Sequence, residues 1–172
     1  MPTPIQPRFD TFYRYEALTR LLNEFAAAHP NLVGVESIGK SHEGRDIWVV
    51  TLTNLATGAP EDKPAFWSDG NIHAAELTAS TTCLYYLHHL LSRYGDDREV
   101  THLLDTRVVY LCPRLNPDGA ELALADRPRH IRSSTRRYPF DEEHVEGLTA
   151  EDVDGDGRIL TMRIRDPHGG YK

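Results

Sequence analysis

The sequence is poor in cysteine, with only Cys83 and Cys112 among 172 residues, and that scarcity excludes the disulfide framework of a small secreted scaffold. Cys83 falls inside an apolar helical pattern and Cys112 at the end of a strand-like run, so both are expected to be buried free thiols. No stretch approaches the ~18 consecutive apolar residues of a membrane-spanning helix, and a membrane is not an expected partner. The opening Met-Pro-Thr-Pro-Ile-Gln-Pro lacks a basic segment followed by an apolar run, which makes a cytoplasmic location the expectation. Basic residues are outnumbered, 19 Lys and Arg against 26 Asp and Glu, and the two signs are interleaved at a formal net charge of -7. Without a sustained basic stripe, neither a nucleic-acid backbone nor an anionic lipid surface is favoured. What remains, 40% hydrophobic and 26% charged residues, is the composition of one globular domain with a single core.

Between Phe12 and Ala28 the residues Leu18, Leu21, Leu22 and Phe25 recur at helical spacing, and His29-Pro30 closes the segment. Three short runs follow, Leu32 to Ile38, Ile47 to Thr53 and Pro64 to Ser68. They are rich in β-branched or aromatic residues and separated by Gly, Pro, Asn and Asp, so they read as strands, the first two as a hairpin. From Ala75 to Tyr94, Leu77, Leu84, Leu87 and Leu91 form one stripe with Cys83, Tyr86 and Leu90 beside it, a helix face wide enough to pack on a sheet. Gly95 follows as a C-terminal helix glycine. Arg107 to Cys112 is nearly all apolar, which predicts a strand covered on both faces. The order implies an α/β layered domain whose strand-helix-strand unit crosses over right-handedly. Residues 1–172 read as a single domain in which 120–172 is an irregular, insertion-like segment. So long a stretch without regular structure is unusual, so it is either a functional insertion or rests on something outside the chain.

His73-Ala74-Ala75-Glu76 lies where the third strand has ended and the long helix is beginning. Ligands in open α/β sheets bind at the carboxyl ends of strands. A histidine and a glutamate three apart in a first helical turn project to one side, where both can reach a zinc ion at ~2.0–2.2 Å. The spacing alone is not informative: nine histidines and twelve glutamates in 172 residues supply such a pair by chance about as often as not. His88 and His89, on the same helix, read as ordinary helix-face residues.

The surroundings are more specific. Taken in order, Gly39-Lys40-Ser41-His42-Glu43-Gly44-Arg45-Asp46-Ile47, Gly70-Asn71-Ile72-His73-Ala74-Ala75-Glu76, Asn116-Pro117-Asp118-Gly119 and the arginines after it resemble the zinc carboxypeptidase family, from about residue 10 to the Asn-Pro-Asp-Gly element. The resemblance implies a mixed β-sheet flanked by helices, of which this chain looks like the first half. It implies His73 and Glu76 as two zinc ligands, and an arginine after Asn-Pro-Asp-Gly that polarises the scissile carbonyl and stabilises the oxyanion. Arg132 is the choice, with Arg129, Arg136 and Arg137 close enough in sequence to be alternatives. The Ser-x-Glu-Gly-Arg and Asn-Pro-Asp-Gly elements also read as tight hairpin and turn chemistry that positions the site. The family often carries an arginine before the glutamate, helping a substrate subsite, where this chain has Ala75.

The resemblance further implies zinc-dependent release of C-terminal amino acids, with a peptide or protein C-terminus as substrate. The family's remaining machinery is not found: an Asn-Arg pair for the substrate carboxylate, a third zinc ligand, a mobile tyrosine and a glutamate general base. His102, His130, His144 and His168 are candidates for a third ligand, each read first as structural or solvated. The chain alone is therefore expected to be inactive, and its exposed sheet edge and apolar face favour self-association or pairing with a missing half. Asp152, Asp154 and Asp156 followed by Gly157 reproduce the opening of a calcium loop, but Arg163 stands where the bidentate acid belongs, so at most a weak calcium site is expected. Two other readings are a zinc acylase or amidohydrolase of the aspartoacylase and desuccinylase type, whose motif has glycine where Ala74 stands, and a non-catalytic binding module on the same fold.

Overall fold

A computed structural model describes residues 5–136, 152 and 154–159. The chain divides into two units, Met1–Arg137 and Tyr138–Lys172. The first carries every regular element described.

Its first helix, α1 (Tyr15–Ala28), buries Leu18, Leu21, Leu22 and Phe25, the stripe that its 3.6-residue period predicts. The hairpin follows as β1 (Val33–Lys40) and β2 (Asp46–Leu52), paired antiparallel with an irregularity between Ser37 and Lys40. Next come β3 (Ala65–Asp69) and the long helix α2 (Leu77–Arg93), which ends at a left-handed Gly95. The strand β4 (Val108–Cys112) then enters between the hairpin and β3, so the sheet order is β1-β2-β4-β3. It runs antiparallel to β2 and parallel to β3, which makes the sheet mixed, as expected. Val108, Val109, Leu111 and Cys112 are all fully buried, so successive residues of β4 are covered on both faces. The core joins α1, α2 and the sheet through Leu22, Phe25, Val50, Leu52, Leu84, Leu87, Val109 and Leu111.

Three expectations need correction. The nine-residue helix α3 (Arg98–Thr106) separates α2 from β4 where no element was expected. The side chain of Asp97 caps it by accepting the Glu99 and Val100 N–H groups, and only Leu104 is fully buried, too little apolar signal for a periodicity argument. A short helix α4 (Pro117–Ala123) occupies the start of the segment read as irregular. Finally, α2 begins at Leu77, two residues after the predicted start, which takes His73 and Glu76 out of the helix.

β3 is an edge strand among those described, and its Phe66 and Trp67 are 55% and 48% exposed. Both cysteines are buried free thiols, as the sequence predicts. Burial pushes Cys83 up to about 11 and Cys112 up to about 12, so neither is a thiolate at neutral pH. Among the described residues no helix is long and apolar enough to cross a membrane.

Candidate metal centre

The site is built where two parallel strands end together. Pairing of β3 with β4 reaches Asp69 opposite Cys112, and the loops beyond stay zipped: Gly70 N–H donates to Cys112 O (2.9 Å), Leu115 N–H to Gly70 O (2.9 Å) and Asn116 N–H to Asn71 O (3.1 Å). This is the carboxyl edge at which α/β sheets bind ligands. Gly70 is required by close approach, since a Cβ there would lie 2.8 Å from the backbone of Ala79 in the first turn of α2. Gly119 is required for the same reason. A Cβ on it would lie 2.5 Å from the Cβ of the fully buried Ala74.

Asn116-Pro117-Asp118-Gly119 is therefore more than a turn. Asn116 is the N-cap of α4, its Oδ1 accepting the Gly119 N–H (2.9 Å), with Pro117 in the first turn. Its Nδ2 donates to Ser133 O (2.7 Å) and Ile72 O (3.3 Å), so one amide bridges the loop after β3 and the segment bearing Arg132. Asp118 ties in the hairpin. Its carboxylate is 3% exposed and accepts hydrogen bonds from the Ser41 hydroxyl (2.7 Å), the Glu43 N–H (2.8 Å) and the Arg45 guanidinium (2.7 Å). The Ser-x-Glu-Gly-Arg loop is the tight turn expected, with Gly44 at φ 82° and Gly44 N–H donating to Ser41 O.

Burial alone would push the Asp118 carboxyl up, but the Glu43 N–H, the Ser41 hydroxyl and Arg45 together hold it below the ordinary carboxylate range. The unfolded chain therefore binds this proton more tightly. The contribution to stability is complete above the unfolded value of about 3.9 and is lost as pH falls through the lower folded value. Asp118→Ala strands three donors and is expected to cost about 3 kcal/mol, and Asp118→Asn, which keeps one acceptor, about half of that. Urea unfolding followed across pH 2–6 checks both magnitudes, and the wild-type advantage over Asp118→Asn should shrink toward the acid end of that window.

His73 and Glu76 stand on the turn between β3 and α2, closed by Glu76 N–H donating to His73 O (3.2 Å). Their side chains converge, with Nδ1 of His73 2.8 Å from Oε2 of Glu76. Arg132 arrives from 56 residues downstream. Its carbonyl accepts the Ala74 N–H (3.0 Å), and its guanidinium lies 3.5 Å from Oε1 of Glu76. The structure thus brings His73, Glu76 and Arg132 together. An imidazole nitrogen and a carboxylate oxygen already in hydrogen-bond contact, both reachable from solvent, fit zinc: one divalent ion can take the place of the proton they share. Ala75 is exposed beside them, so no cation stands at that position.

No third His, Cys, Asp or Glu donor converges on this pair among the described residues. His102 sits on α3 near Arg98 and Glu99, and His130 is exposed. His144, His168 and Arg137 lie outside the described residues. His88 meets the ring of Phe9 edge-on, and His89 stacks on Tyr85, as helix-face residues.

In the second unit Asp152, Asp154 and Asp156 each offer a carboxylate oxygen within 4.8 Å of the others, all exposed. Backbone N–H groups already use them: Gly155 and Gly157 donate to Asp152, Asp156 to Asp154, and Arg158 to Asp156. Arg163 lies outside the described residues.

A histidine–carboxylate pair faced by an arginine, at the carboxyl ends of parallel strands of an α/β sheet, is a donor set that fits a divalent metal. The chain belongs to the zinc carboxypeptidase family, whose sequence profile matches residues 18–154. It is 31% identical over 114 residues to a zinc carboxypeptidase of Saccharothrix mutabilis subsp. capreolus, covering 66% of this chain and 26% of that protein. It is 37% identical over 111 residues to carboxypeptidase A2 of Mus musculus, covering 64% and 25%. The solved structure of carboxypeptidase A from Helicoverpa armigera superposes with a TM-score of 0.62 at 27% identity, over 72% of this chain and 29% of that one. The chain spans about a quarter of the length of the curated relatives it matches.

Proposed function

We propose that this chain carries the first part of the catalytic site of a zinc-dependent metallocarboxypeptidase, which releases C-terminal amino acids from peptides or proteins. The observation that carries the proposal is the meeting of His73, Glu76 and Arg132 on loops zipped to the ends of β3 and β4. His73 and Glu76 would hold the ion, and a bound zinc supplies Lewis acidity and a water whose pKa falls toward ~7. Arg132 presents guanidinium donors to the negative charge that develops on the scissile carbonyl. Asn116 and the Asp118 cluster keep these loops in register. A third ligand and a general base are assigned to no described residue.

The acylase reading is less favoured because Ala74 is matched to its neighbour. Its methyl is fully buried over Gly119, so the residue after the histidine is fitted to the Asn-Pro-Asp-Gly element. The full-length protein should release C-terminal residues from peptides, lose that activity to a zinc chelator and leave N-acyl amino acids intact. The reverse substrate preference would favour the acylase, and zinc binding with neither activity a non-catalytic module. Self-association through the β3 edge, where Phe66 and Trp67 are exposed, belongs to the same proposal. A cytoplasmic location is supported by the two free thiols, and fractionation of cells producing the protein tests it. The convergence of Asp152, Asp154 and Asp156 supports a weak calcium site, expected in about the millimolar range. Calcium titration of the chain against Asp152→Asn and Asp154→Asn checks it, and equal heats in all three would remove calcium from the reading.

A further inference from the structure

Asn71 is the one described residue other than glycine with a positive φ, at 57°. It is 1% exposed and sits between Gly70, just past β3, and the His73–Glu76 turn. Asparagine tolerates the left-handed region better than most residues because its short polar side chain can bond locally. Here that side chain has two local partners: Nδ2 donates to His73 O at 2.7 Å and to Ala74 O at 3.1 Å. The backbone carbonyl of Asn71 accepts the Asn116 N–H, so the residue is held from both sides.

The amide itself is supported by a buried polar cluster. The hydroxyl of Ser80, in α2, lies 3.4 Å from Oδ1 of Asn71 and donates to Pro113 O at 2.6 Å. The same Ser80 oxygen accepts from Nε of Arg114 at 3.2 Å, and Arg114 is buried beside Glu121 of α4. The turn from His73 to Glu76 is therefore shaped by groups on α2, on the loop after β4 and on Asn71, none of which contacts the side chains of His73 and Glu76.

We infer that Asn71 is a positioning residue for the metal centre: its left-handed backbone turns the chain out of β3, and its amide fixes the carbonyls of His73 and Ala74, the first of which also accepts the Glu76 N–H and so sets the turn that carries both side chains. This rests on the reading of His73 and Glu76 as zinc ligands. Outer groups that orient ligands are typically worth 10–100-fold in metal affinity. In the full-length protein, Asn71→Ala keeps a Cβ in the left-handed region without the amide whose local bonds offset its cost, and it should weaken zinc binding by about that factor. Asn71→Gly keeps the backbone conformation at no steric cost but loses the amide, and it should fall between Asn71→Ala and wild type.

Zinc affinity is measured by competition with a chromophoric chelator, on variants whose metal-free circular dichroism matches wild type. Amide exchange at Ala74 and Glu76 in the zinc-free protein reads the hold on the loop independently of the metal, and should quicken in both variants. Folded Asn71→Ala and Asn71→Gly proteins with zinc affinity within about twofold of wild type, or with unchanged exchange at those amides, would overturn the inference. His73→Ala run alongside keeps the two failures apart. Zinc binding that does not depend on His73 would sink the ligand assignment, whereas unchanged exchange sinks only the role of Asn71.

Discussion

Replacing His73 with alanine in the full-length protein is expected to lower release of C-terminal residues to about a thousandth of wild type or less, with zinc content falling in parallel. A metal centre acting as Lewis acid is worth several kcal/mol at the transition state, and each 1.36 kcal/mol is a factor of ten. His73 is half-exposed and, among the described residues, its one polar side-chain contact is Glu76 Oε2 at 2.8 Å, so its removal takes little from the fold. The unfolding free energy of the metal-free protein should move by less than ~0.5 kcal/mol, as for other exposed pairs. Loss of activity with unchanged stability is the combination that marks a ligand. Glu76→Gln separates charge from shape: the side chain keeps its size and a hydrogen-bonding oxygen but is a poorer donor to a divalent cation. It should retain more zinc than His73→Ala, read from metal content after dialysis at fixed free zinc. Peptide hydrolysis that persists in His73→Ala would remove the metal assignment.

The residues that made this site legible in the sequence were the ones governed by local rules. The stripe Leu18, Leu21, Leu22 and Phe25, the apolar run of β4 and the glycine after α2 each reflect a period or a backbone conformation, and each matches the structure. The start of α2 was misjudged because helical spacing continues through Ala75 and Glu76. The left-handed Asn71 and the bond from Ala74 N–H to Arg132 O divert that segment into a turn; asparagine permits the first without requiring it, and the second is a long-range contact that no local period reports. Insertion of β4 between the hairpin and β3 was equally invisible, because strand order is decided by which faces are buried together. The same holds for Asp118, whose partners Ser41 and Arg45 are 77 and 73 residues away. A signal was present in Asn116: an asparagine followed by proline is the start of a capped helix as readily as a turn. Reading it so would have found α4 and the amide that joins Ile72 to Ser133.

Arg132→Ala is expected to lower kcat by about 10²–10³, the usual loss on removing one donor to a developing oxyanion, with a much smaller change in KM. The structure gives Arg132 a fixed base and a free end. Its carbonyl accepts the Ala74 N–H, and the next carbonyl, of Ser133, accepts from Asn116 Nδ2. The guanidinium is 71% exposed and, among the described residues, meets only Glu76, at 3.5 Å. An exposed pair of that length contributes little to stability, so the variant should unfold like wild type. Arg132→Lys should not restore kcat, because an ammonium cannot reproduce the two parallel donors of a guanidinium, whereas added guanidinium ion should recover part of the loss in Arg132→Ala. Arg129 supplies the control, since among the described residues the contact it makes is through its backbone, N–H to Leu122 O, and Arg129→Ala should leave kcat unchanged. If Arg132→Ala keeps wild-type kcat while substitution of Arg136 or Arg137 abolishes it, the oxyanion donor lies further along the chain, and the contact between Arg132 and Glu76 is a surface ion pair.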